Sequence, residues 1–152
     1  MPPRRHKAPG WLRRACLLLA AGLVLAALLA GCASSSSKPM VEVVTPFGRA
    51  MIEEAQLGER FPPGCADPDC RLSAAQGQKL LVVWVAALDQ MPVDQLLAYS
   101  QGAFVAASDG STTRLTSSGV EAGRLYLVFS VGQATSQFTL FGFDILPVDL
   151  QL

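Results

Sequence analysis

Few residues in this chain are of a type and spacing that could do chemistry. Four are cysteines: Cys16, Cys32, Cys65 and Cys70. Cys65 and Cys70 lie five positions apart around an Asp-Pro turn, as Cys-Ala-Asp-Pro-Asp-Cys. Such a turn lets two Cα atoms reach the roughly 4.4–6.8 Å that a disulfide needs, so a local Cys65–Cys70 bridge is expected. Loop entropy gives that short bridge about 2 kcal/mol. Four intervening residues do not match the Cys-x-x-Cys redox spacing, and two thiolates without a histidine make a poor metal set. Asp67 and Asp69 lie inside the same loop and could offer oxygens to calcium. Their spacing lacks the alternating acids and distal Glu of a calcium loop, and a solvated acidic turn is the simpler reading. A small-ligand or calcium-binding role for the Cys65–Cys70 loop stays open as the alternative. Glu53 and Glu54 could join a further carboxylate in hydrolytic acid–base chemistry. Neighbours on a strand point to opposite faces, so they should not pair with each other, and a carboxylate hydrolase ranks last. The one histidine is His6. Residues 32–152 hold none, which excludes Ser-His-Asp and Cys-His catalysis there, and histidine-based metal sites as well. No catalytic residue, metal ion or cofactor is expected.

Of the remaining cysteines, Cys16 lies in a leader and Cys32 directly follows it. Residues 1–14 carry Arg4, Arg5, Lys7, Arg13 and Arg14 and no acid, and residues 15–30 carry no charge. A basic stretch followed by an apolar one is the pattern of a secretory signal peptide. Sixteen apolar residues fall short of the roughly 17–25 of a spanning helix. The stretch ends Leu29-Ala30-Gly31-Cys32, which resembles the lipobox of bacterial lipoproteins. That resemblance implies cleavage between Gly31 and Cys32 and lipidation of Cys32. One acyl chain anchors marginally and two or more hold firmly, at about 0.8 kcal/mol per buried methylene. The implied organisation is a signal peptide over 1–31, a lipidated Cys32 with a flexible linker over 32–39, and a folded domain over 40–152. The Ser-rich run Ser34–Ser37 suits a polar spacer. The expected location is the extracytoplasmic side of the cell membrane or the outer membrane. Ala33 in place of Asp favours the outer membrane where there is one, by the same resemblance.

The formal net charge of zero conceals an asymmetry. Residues 1–31 hold five of the 12 Lys+Arg and none of the 12 Asp+Glu, so residues 32–152 carry seven bases against 12 acids, or −5. Nucleic acid is therefore not an expected partner, since phosphate binding needs a positive surface. The expected partners are the membrane, through the anchor, and a protein of the cell envelope.

Strand-like runs between turns must position all of this. Val41–Val44 precedes a turn at Thr45-Pro46-Phe47-Gly48, and residues 50–57 fit either a helix or a strand, with the hairpin context favouring a strand. Residues 58–78, rich in Gly and Pro, read as a long loop. Leu80–Leu88 is apolar without alternation, the mark of a central strand covered on both faces. Trp84 within it is expected in the core. Pro92–Ala98 fits one helical turn with Pro92 early in it. Residues 103–107 and 111–115 flank a hairpin signal, Ser108-Asp109-Gly110. In residues 125–131, Leu125, Leu127, Phe129 and Val131 share one face, with Tyr126, Val128 and Ser130 on the other. Residues 137–146 form the last strand, with Phe138 and Leu140 facing one way, Phe141 and Phe143 the other. About seven short strands predict an all-β antiparallel sandwich with Greek-key connections, with a small barrel as the alternative.

The order of these segments over residues 40–146 resembles the immunoglobulin-like, telokin-like domains of bacterial lipoproteins. The carriers are the long apolar strand Lys79–Leu88, the Asp-Gly hairpin within Phe104–Leu115, and the turn Val120–Arg124 leading into Leu125–Val131. Ser136–Phe143 closes the pattern. The resemblance implies an immunoglobulin-like β-sandwich and an adhesive or partner-binding role, and it carries over no catalytic residue. The whole reading is a non-enzymatic, membrane-anchored binding or structural module.

Overall fold

A computed structural model of the chain describes residues 36–37, 41–66, 69–144 and 146–152. Every described residue belongs to one compact unit, Ser34–Leu152. The described residues are mostly β, in antiparallel strands, with one short α-helix.

Nine strands form one hydrogen-bonded sheet. In chain order they are β1 (Ser36–Ser37), β2 (Val41–Thr45), β3 (Gly48–Gly58), β6 (Gln78–Ala87), β7 (Phe104–Ala107), β8 (Thr112–Glu121), β9 (Arg124–Gly132), β10 (Gln137–Phe141) and β11 (Val148–Gln151). Two short strands, β4 (Arg60–Phe61) and β5 (Leu72–Ser73), pair separately as a hairpin. The sheet runs β1-β3-β6-β9-β8-β7-β10-β11, with β2 beside β1 on the same edge of β3, and it curls as a half-barrel. The strands expected in two layers are thus continuous through β8, whose first residues pair with β7 and whose later ones pair with β9. The register slips between Leu115 and Ser117. There the Thr116 hydroxyl accepts the Ser130 N–H at 3.2 Å, as a side chain does where a bulge interrupts the ladder.

Residues 50–57 resolve as strand because β3 is paired along both edges, by β1 and β2 on one side and β6 on the other. Its bulge between Ile52 and Glu54 shifts the alternation. Ala50 and Ile52 before it, and Ala55 and Leu57 after it, all enter the same core.

The concave face holds the main core. It gathers Leu81, Val83 and Val85 of β6, Leu125, Leu127, Phe129 and Val131 of β9, and Phe138, Leu140, Val148 and Leu150 of the last two strands. Burial of each such side chain contributes roughly 1.5–3 kcal/mol. Helix α1 (Val93–Tyr99) adds the fully buried Leu96. Pro92 is its extended N-cap rather than its first helical residue. The convex face of β6 and β9 is buried too, by a second cluster of Leu80, Val82, Trp84, Tyr126 and Val128 under Phe61. Hence the unbroken apolar run at Leu80–Val85: both faces are covered.

The last strand departs from expectation. β10 ends at Phe141, and Gly142 takes φ +71. A Cβ there would lie 2.8 Å from the Gly102 carbonyl oxygen. This left-handed turn, open to glycine, sends Phe143 into the main core beside Phe138 instead of outward with Phe141. Phe141 stays on the convex side, stacked on Phe104 at 5.0 Å. The chain then adds β11, not foreseen in the sequence, paired to β10. The sheet ends on β2 at one side and β11 at the other.

Candidate functional site

The leader over 1–31, Gly31 included, and Cys32 lie outside the described residues, as does Asp67. Cys65 and Cys70 form the expected disulfide, with Cα atoms 5.4 Å apart. What the sequence did not reveal is what the bridge closes. The loop read over 58–78 contains the β4–β5 hairpin, tied by the Arg71 N–H to the Phe61 carbonyl at 2.8 Å. Phe61 is 1% exposed and packs 4.7 Å from Tyr126 and 6.1 Å from Trp84. The Arg71 guanidinium lies 5.9 Å over the Phe61 ring and ion-pairs Glu121 at 3.2 Å. The cysteine loop therefore caps the convex face. Asp69 stays in that turn, its N–H donating to the Ala66 carbonyl. Among the described residues, no group of three or more His, Cys, Asp or Glu side chains could hold a metal ion.

Glu53 and Glu54 are arranged differently from the alternation expected of a regular strand. Glu54 pairs across from Trp84 on the convex side, and the bulge leaves Glu53 beside it. Glu53 reaches Arg124 at 3.4 Å, and Arg124 lies 4.7 Å over the Trp84 ring. Trp84 is thus buried, as expected, with a cation closing its cover. Two shallow hollows, of about 240 and 230 Å³, carry one carboxylate each, Asp149 in the first and Glu59 in the second.

A second group of residues was missed by sequence reasoning and lies at one end of the sheet. There β2 turns into β3 at Pro46–Phe47, β6 runs out through Leu88–Pro92, and β8 turns into β9 at Ala122–Gly123. The Thr45 hydroxyl fixes the first turn: it donates to the Gly48 carbonyl at 2.7 Å and accepts the Phe47 N–H at 3.3 Å. The turn presents Phe47, 55% exposed, edge-on to Tyr99 at 5.8 Å. Tyr99 in turn sits 6.5 Å from Phe143. Of the four large exposed apolar residues among those described, Val44, Phe47 and Val120 belong to this end, and Leu146 lies between β10 and β11.

The same end holds the three described non-glycine residues with positive φ, namely Asp89 (54°), Gln90 (61°) and Ala122 (50°). A side chain in this region costs of order 1–3 kcal/mol, and surrounding structure must hold it. Arg49 does so for Asp89 with a bidentate pair, Nε to Oδ2 at 2.6 Å and Nη2 to Oδ1 at 2.8 Å. Glu42 takes a further Arg49 donor at 3.0 Å. The Arg49 hydrogen bonds hold the Asp89 carboxyl below its ordinary value, against partial desolvation, while both acids push Arg49 upward. Only the Thr-Pro-Phe-Gly turn and the Val120–Arg124 turn were sequence signals for any of this. The arrangement is an exposed aromatic tip beside a fixed cluster of charges. No protein-family model, curated protein or solved structure matches the chain.

Proposed function

We propose that this chain is an extracytoplasmic lipoprotein, anchored through Cys32, whose β domain is a non-enzymatic module that binds a protein of the cell envelope. The single observation that carries the anchor is Leu29-Ala30-Gly31-Cys32 at the end of an apolar stretch behind five basic residues. The Cys65–Cys70 bridge supports it, since disulfides persist in oxidising compartments. Among the described residues no helix is long and apolar enough to cross a membrane. The binding role is supported by the Phe47 end, where exposed apolar groups and strained backbone coincide. We read the curled sheet as an immunoglobulin-like domain, supported by its β-rich antiparallel pairing and the central Trp84 strand.

Blocking the lipoprotein signal peptidase with globomycin should leave the full precursor. Cys32→Ala should remove the acyl groups from the N-terminal peptide seen by mass spectrometry. Normal maturation in both cases overturns the anchor.

A further inference from the structure

The path by which the chain enters the sheet orients the domain on its membrane. Three residues, Ala33, Ser34 and Ser35, separate Cys32 from Ser36. Ser36 already pairs with Gln56 of β3, inside the run that composition marks as a loose spacer. Four residue steps reach about 14 Å at full extension. β1 and β2 both run antiparallel to β3 and begin toward its Gly58 end, with Ser36 opposite Gln56 and Val41 opposite Ile52. The chain thus arrives from the end where β3 leaves at Gly58, β6 begins at Gln78 and β9 leaves at Gly132. Gly58 is two residues past Gln56, about 7 Å of strand, which uses half the tether. The Phe47 turn lies beyond Gly48, eight residues the other way, or about 26 Å.

Charge follows the same axis. Near the Gly58 end, Arg60 and Lys79 balance Glu59 and Asp109, whose carboxylate bonds Thr135, and the turn Ala75–Gln78 and Gln133 are uncharged. Around the Phe47 end stand Glu42, Glu53, Asp89, Asp94, Glu121 and Asp144 against Arg49, Arg71 and Arg124, so acids still outnumber bases there. An anionic leaflet repels the second set and tolerates the first.

From the tether length and this polarity we propose that the Gly58 end, with the Ala75–Gln78 and Gly132–Thr135 turns, rests against the lipid headgroups, and that the Phe47 tip faces away. The proposal rests on the Cys32 anchor and adds the surface that meets the bilayer. It deepens the binding role as well, because the docking tip is then presented outward.

The test uses the full acylated protein in vesicles containing anionic lipid and headgroup-labelled quencher. An environment-sensitive fluorophore is placed on Gln76→Cys or on Phe47→Cys, both exposed turn positions. Quenching should be several-fold stronger at position 76, and a long Gly-Ser insertion after Ala33 should abolish that difference. Equal quenching at both sites, or stronger quenching at 47, on protein shown by mass to be acylated overturns the orientation alone. A difference that survives the insertion shows that the short tether does not set it, and overturns the argument too. Absence of the acyl mass overturns the orientation together with the anchor.

Discussion

Phe61→Ala should be among the most damaging single changes outside the main core. The ring is 1% exposed and fills the space over Trp84 and Tyr126. Removing a buried phenylalanine costs about 3–5 kcal/mol, transfer and cavity together. For a domain of this size, with about 4 °C per kcal/mol, Tm should fall by about 12–20 °C. The Cys65→Ser/Cys70→Ser variant should lose about 2 kcal/mol if it only frees a short loop. Phe61 is four residues from Cys65 and belongs to the hairpin that the bridge braces. If the bridge acts by holding that ring in place, the triple variant should lose clearly less than the sum, about 5–7 kcal/mol, since the second change removes what the first released. Trp84 is the one tryptophan outside the leader, which carries Trp11. Its emission in a urea titration therefore reports on this site. A Phe61→Ala loss below about 1 kcal/mol, with unshifted Trp84 emission, would refute the claim that the hairpin is a structural cover.

Other outcomes follow from particular contacts. Gly119→Ala should cost about 1–3 kcal/mol in chemical denaturation, since a Cβ there would sit 2.7 Å from Cζ of Tyr126 and push that ring toward Phe61. The Asp89 carboxyl is held low by Arg49. Its contribution to stability is therefore present above the ordinary carboxylate pKa and lost as pH falls through the depressed one. NMR titration should show Asp89 moving back toward its ordinary value in Arg49→Ala. Phe47→Ala should change stability by less than about 0.5 kcal/mol, because the ring is more than half exposed. A photo-crosslinker at Phe47 should yield a discrete protein adduct in intact membranes, whereas one at Gln76 should not.

The fold was legible where local chemistry and global packing agree. The alternation of Leu125–Val131 gave its two faces correctly, as the structure places Leu125, Leu127, Phe129 and Val131 inward and Tyr126 and Val128 outward. The unbroken run at Leu80–Val85 signalled two buried faces, and the Asp-Pro turn signalled the disulfide. What escaped depends on single backbone events. Gly142 reverses one residue and sends Phe143 to the opposite side from that expected. The bulge after Ile52 breaks the strict alternation that had separated Glu53 from Glu54. Short strands such as β4, β5 and β11 carry too few residues for any period to show; they exist because neighbouring strands and Phe61 supply the contacts. The Phe47 end was hidden for a related reason. Asp89 and Gln90 have no sequence mark of left-handed backbone, and Arg49 is 40 residues from the carboxylate that it holds.

A half-barrel that does not close leaves two strand margins with backbone groups free to recruit another chain. Such a margin is a hazard wherever many copies crowd together. β2 meets the hazard with Glu42 near its start and Pro46 just past its end, and β11 with Asp149 in a strand of four residues behind Pro147. These charges and prolines work against lengthening of the sheet into a ribbon of copies.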